Sequence, residues 1–150
     1  MKGNKMKWTP YLGDAYLDYP TVMQWCESLA KAYPNWVKLE EIGKSRHDRP
    51  ILLVTIGDMQ DDYLHRPAFW TDGGTHAAEW TGVMTVLYSI SQWIEGLNRG
   101  DKNLQEWFRR NTVFALPCIS PDGFQALHEG EPILRSTLRP PKEGEARSGF

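Results

Sequence analysis

TDGGTHAAEWTG, residues 71–82, is the stretch on which the fold turns. The preceding PAFWTD is short and apolar enough to be a strand buried on both faces. Downstream, Val83, Met84, Leu87, Ile90, Ile94 and Leu97 recur at the spacing of a helix with a broad apolar face, and NRG ends that helix. Gly73 and Gly74 therefore fall where a strand gives way to a helix, and they permit a tight bend or a close backbone approach. Sites in α/β sheets gather at such junctions. His76 and Glu79 lie three apart across the bend and can point to one spot, and imidazole and carboxylate are both zinc donors. Spacing alone leaves a blander reading open. A glutamate in a first helical turn is favoured by the helix dipole, and Thr75 as N-cap would bring Glu79 close to the capping-box position.

Working outward, Val22, Trp25, Cys26, Leu29, Ala30 and Tyr33 predict an amphipathic helix from about residue 20 to 33, stopped before Pro34. WVKLEEIGKS and PILLVTIGD read as strands, and SRHDRP between them has turn chemistry, so a β-hairpin is expected. DMQDDYLHRP is a polar loop. DKNLQEWFRR is a short helix, NTVFALPCIS a fourth strand, and PDGF a turn. The remainder has no clear periodicity. This order describes an α/β fold, a mixed sheet flanked by helices. The link from strand 67–72 through the long helix to strand 111–119 has βαβ form, so those two strands should be parallel.

Composition bounds the function. The 150 residues suit one domain, and 41% apolar content supports a packed core. A formal net charge of -2 gives no electrostatic reason to expect a nucleic-acid or anionic-membrane partner. Cys26 and Cys118 are too few for a disulfide framework and read as small buried hydrophobes. The start, MKGNKMKWTPYLG, is basic without the apolar core of a signal peptide, and the run around Ile51 to Ile56 is too short to span a bilayer. With Met1 as the true start, the expected compartment is the cytoplasm.

GGTHAAEWTG resembles the HxxE zinc motif of the zinc carboxypeptidases, the family of carboxypeptidase A and its bacterial relatives. YPNWVKLEEIGKSRHDRPILLVTIG resembles the family's first helix end and hairpin, FALPCISPDGF its strand and NPDG turn, and LRSTLRP its arginine segment. These matches run in family order from about residue 16 to the end, which is far more specific than any one of them. The resemblance implies a zinc carboxypeptidase-like sandwich and zinc-dependent hydrolysis of a C-terminal peptide bond. The substrate would be a peptide with a free terminal carboxylate. It makes His76 and Glu79 two of three protein zinc ligands. It makes Arg135 the arginine that polarises the scissile carbonyl and stabilises the oxyanion, and it places Arg139 in the substrate cleft. Ser120 stands where the family has asparagine, and Ala77 and Ala78 stand where many members have an arginine. Ser120 and Asp122 read as structural.

A catalytic zinc site needs three protein ligands and a base for its water. His47 and His65 lie in loops and should face solvent away from the strand ends, which leaves His128 as the local candidate for a third ligand. In the family the third ligand, the terminal-carboxylate clamp, the covering tyrosine and the general base lie further along than Phe150. The chain is therefore expected to be the N-terminal part of one catalytic domain. Seven tryptophans are many for this length and fit packing against further elements. Two other functions compete: a zinc-dependent deacylase of amino-acid conjugates on a related fold, which the hairpin and arginine segment fit less well, and a binding module that kept the fold without the chemistry.

Overall fold

A computed structural model describes residues 8–131. Arg135 and Arg139 lie outside the described residues. The first helix, α1 (Tyr19–Ala32), starts where Asp18 accepts a 3.0 Å hydrogen bond from the Thr21 N–H. Pro20 sits in the first turn, where a missing N–H costs nothing. Tyr19, Val22, Cys26 and Leu29 form its buried stripe, each contributing about 2 kcal/mol through burial. It stops at Tyr33, the residue before Pro34, as the spacing predicts.

The hairpin is formed by β1 (Val37–Lys44) and β2 (Pro50–Ile56), paired antiparallel from Val37 opposite Ile56 to Lys44 opposite Pro50, with a bulge between Glu41 and Gly43. A single 3₁₀ turn, Tyr63–His65, interrupts the polar loop. Then come β3 (Ala68–Asp72), α2 (Trp80–Asn98), α3 (Lys102–Arg110), β4 (Thr112–Leu116) and α4 (Pro121–His128). The strand order is β1-β2-β4-β3. β2 and β4 are antiparallel and β3 and β4 parallel, so the sheet is mixed and the expected βαβ unit is present. α1 packs on β1 and α4, and α2 packs on β3, β4 and α3. Val54, Ile56, Leu87, Ile90, Ile94, Phe108 and Phe124 are fully buried at the centre of the core. Among the described residues no helix is long and apolar enough to cross a membrane.

Two expectations are corrected. β3 is not buried on both faces: Ala68, Phe69, Trp70 and Asp72 are exposed and Thr71 half-buried. Its letters register apolarity but not its place at the end of the strand order, where one edge has no neighbour among the described residues. PDGF is not a turn but the first turn of α4, with Pro121 at its start and Asp122 in its positive end. Gly123, read as a turn residue, is buried inside that helix.

The exposed edge carries Phe69 at 52% and Trp70 at 53% of full exposure, with Trp107 at 41% nearby. Phe69, Trp93, Leu104, Trp107, Phe108 and Val113 line an apolar groove of about 260 Å³ beside it. An edge strand with exposed aromatics is a template for pairing with another chain. The 150-residue chain should therefore self-associate, and Trp70→Lys should raise the monomer fraction in sedimentation velocity. An unchanged size distribution in that variant would place the sticky surface elsewhere.

Candidate metal centre

The loop between β3 and α2 is shaped by main-chain contacts. Gly73 N–H donates to the Leu116 carbonyl, Ile119 N–H to the Gly73 carbonyl and Ser120 N–H to the Gly74 carbonyl, each at 3.0 Å. The chain leaving β4 thus runs beside the chain leaving β3. Gly73 also meets the first turns of α2 directly: a Cβ there would lie 2.6 Å from the Gly82 carbonyl oxygen and 2.8 Å from Val83 N. Gly74 has φ +62, and a Cβ on it would lie 2.8 Å from Val83 Cγ2. Only glycine fits at either position.

Glu79 is the N-cap residue of α2, and its side chain makes no capping hydrogen bond. Thr75 does not cap the helix either; its hydroxyl donates to Asp72 Oδ1 at 3.3 Å. The capping-box alternative is therefore set aside. Instead Glu79 N–H donates to the His76 carbonyl at 3.1 Å, closing a turn that swings both side chains to one side. His76 Nδ1 and Glu79 Oε1 are 2.8 Å apart. A carboxylate only accepts, so Nδ1 carries the proton in that hydrogen bond. The pair is open to solvent, with the side chains 35% and 54% exposed, while Ala77 between them is fully buried and anchors the turn.

The donors fit two positions of a zinc site. Two atoms about 2 Å from one tetrahedral ion stand roughly 3.3 Å apart. The observed 2.8 Å is a hydrogen-bond separation that a small side-chain rotation opens. Among the described residues no three of histidine, cysteine, aspartate and glutamate are grouped so as to hold a metal ion. His65 is exposed in its loop before β3, as expected. His47 is exposed too but is not away from the strand ends: β2 runs antiparallel to β4, so the hairpin turn sits at the C-terminal end of β4, where His47 N–H donates to Asp122. His128 is packed away: its ring stacks on Trp80 at 4.0 Å, its Nδ1 bonds the Phe124 carbonyl at 3.1 Å, and its Nε2 is buried.

The zinc carboxypeptidase family profile matches residues 22–148. The chain belongs to the zinc carboxypeptidase family. It is 30% identical over 132 residues to carboxypeptidase B of Astacus astacus, an alignment covering 88% of this chain and 40% of that protein. It is 27% identical over 121 residues to an inactive metallocarboxypeptidase of Ajellomyces capsulatus (strain H143), covering 80% of this chain and 20% of that protein. The structure superposes on thrombin-activatable fibrinolysis inhibitor with a TM-score of 0.78 at 20% identity, covering 92% of this chain and 33% of that one. The chain thus spans less than half the length of these relatives.

Asp122 is structural, as its reading in SPDG predicts. Its carboxylate, 2% exposed, accepts hydrogen bonds from Ser45 Oγ at 2.7 Å, Arg49 Nη1 at 2.8 Å and His47 N–H at 3.2 Å. These ties clamp the hairpin turn to the start of α4. Burial alone would raise its pKa, but the Ser45, Arg49 and His47 hydrogen bonds outweigh it and hold the carboxyl below its ordinary value. Because the folded value is lowered, the stabilisation is complete above the unfolded value of about 3.9 and is lost as pH falls below it. Both cysteines are buried, as expected, and burial pushes each thiol up to about 12.

Asp122→Ala should cost about 3 kcal/mol at pH 7 in urea unfolding. It should also flatten the acid limb of the stability profile below about pH 4. A wild-type acid limb in the variant would show that this carboxylate is not the titrating group. Gly73→Ala should cost about 2–3 kcal/mol by driving α2 off the loop; an unchanged unfolding midpoint would deny the close approach.

Proposed function

We propose that this chain is the N-terminal part of a catalytic domain that removes C-terminal residues from peptides, with His76 and Glu79 as two ligands of a zinc ion. The observation that carries the reading is the convergence of His76 Nδ1 and Glu79 Oε1 to 2.8 Å at the C-terminal end of a parallel strand. That is where open α/β sheets place their chemistry, and the family match supplies the reaction class.

Zinc bound there would supply a Lewis acid that polarises a peptide carbonyl and lowers the pKa of a water. His76 and Glu79 would hold it, the rigid glycine turn keeping both donors on one side. Arg135 would place a fixed positive charge where the carbonyl oxygen gains negative charge. Arg139 would line the substrate cleft. A third ligand, a general base and a clamp for the free carboxylate are still required, and the part of the family domain that this chain does not span would supply them. Residue preference at the cleaved end belongs to that part as well.

The test uses the full-length protein and a blocked dipeptide with a free carboxylate. His76→Ala and Glu79→Ala should each abolish bound zinc and hydrolysis. Arg135→Ala should lower kcat about 10²–10³-fold with little change in KM. Full activity in His76→Ala would sink the proposal. The 150-residue chain alone should bind zinc weakly, and one tight equivalent lost in His76→Ala would show that it contains a third ligand.

A further inference from the structure

Ser120 occupies the N-cap of α4, a position where serine ordinarily accepts a hydrogen bond from its own helix. Here its side chain makes no capping bond. The hydroxyl, on a residue only 3% exposed, instead donates across the loop to the Thr75 carbonyl at 2.9 Å. Thr75 is the residue directly before His76. The neighbouring ties at Gly73 and Gly74 are main chain to main chain. The Ser120 hydroxyl is the side chain that extends this ladder to the peptide unit carrying His76. Local capping has been given up for a contact 45 residues away in sequence, which is the pattern of a group placed to hold something else.

We propose that Ser120 is a positioning residue for the metal centre: its hydroxyl fixes the Thr75–His76 peptide unit, and through it the direction in which the imidazole meets Glu79. This rests on the reading of His76 and Glu79 as metal ligands. A free Thr75 carbonyl would let that peptide unit rotate, and the His76 Nδ1 to Glu79 contact would lose its fixed geometry. Outer contacts that orient a metal-binding imidazole are commonly worth tenfold or more in metal affinity.

The experiment uses the metal-free 150-residue chain labelled with ¹⁵N-histidine, at pH 8, titrated with Zn²⁺. In the wild type the His76 nitrogen resonances should report a proton on Nδ1 and should shift with zinc. Ser120→Ala should lose that preference and weaken zinc binding about 10-fold, and Ser120→Thr, which keeps the hydroxyl, should restore both. Arg49→Met provides the control for stability: it should lower the melting temperature at least as far as Ser120→Ala, yet leave the His76 resonances and zinc affinity as in the wild type. If the alanine variant does not fold, Ser120→Cys, a weak donor of similar size, takes its place. Wild-type His76 resonances and zinc affinity in the hydroxyl-free variant would overturn the proposal, as would the same changes in Arg49→Met. Zinc that leaves the wild-type His76 resonances unmoved would sink the metal reading instead. The nitrogen resonances would then decide the role of Ser120 alone.

Discussion

Gly73 lies against the main chain of α2 more closely than any side chain permits. That contact sets the rest of the site. It brings the start of the long helix onto the end of β3, so the chain between them must turn within a few residues. Glu79 is left at the N-cap with its carboxylate free of the helix, and His76 is left one turn earlier on the same side. The parallel pairing of β3 with β4 adds the second constraint, because the chain leaving β4 continues beside the glycines and ties their carbonyls. An exposed pair of side chains is thus held by a buried backbone. This is the arrangement that ordered metal ligands need, since neither donor has packing of its own to fix it.

The supports are spread over the whole fold. Asp122 joins the hairpin turn to α4 through Ser45, Arg49 and His47. Tyr19 bridges α1 to both: its N–H donates to Gln125 Oε1 at 3.0 Å and its hydroxyl donates to the Pro50 carbonyl. Trp80, the first residue of α2, is pinned between the His128 ring and Tyr16. These contacts lock α1, the hairpin, α2 and α4 to one another. The edge at β3 is different: around Phe69, Trp70 and Trp107 apolar surface remains open.

Much of this was legible in the sequence because it is local. The apolar stripe of α1, the hairpin with its turn residues, the long face of α2 and the parallel β3–β4 pair all follow from periodicity and connection length. His76 and Glu79 were legible because both lie on one short turn. What could not be read depends on partners far along the chain. The apolar letters of β3 say nothing of its place at the sheet's edge. Asp122 and Arg49, 73 residues apart, give no pattern linking them. Ser120 reads only as structural, and the fold alone shows its hydroxyl reaching Thr75. PDGF misled for a related reason: proline, aspartate and glycine serve a turn or a helix start alike, and the packing around Phe124 selects the helix.

The central claim is that one ion takes both the imidazole of His76 and the carboxylate of Glu79. Anomalous diffraction at the zinc edge, from crystals of the full-length protein, tests it most directly. A single strong peak about 2 Å from both His76 Nδ1 and Glu79 is the predicted result. A peak bound by other residues, with the His76–Glu79 hydrogen bond intact, would contradict it.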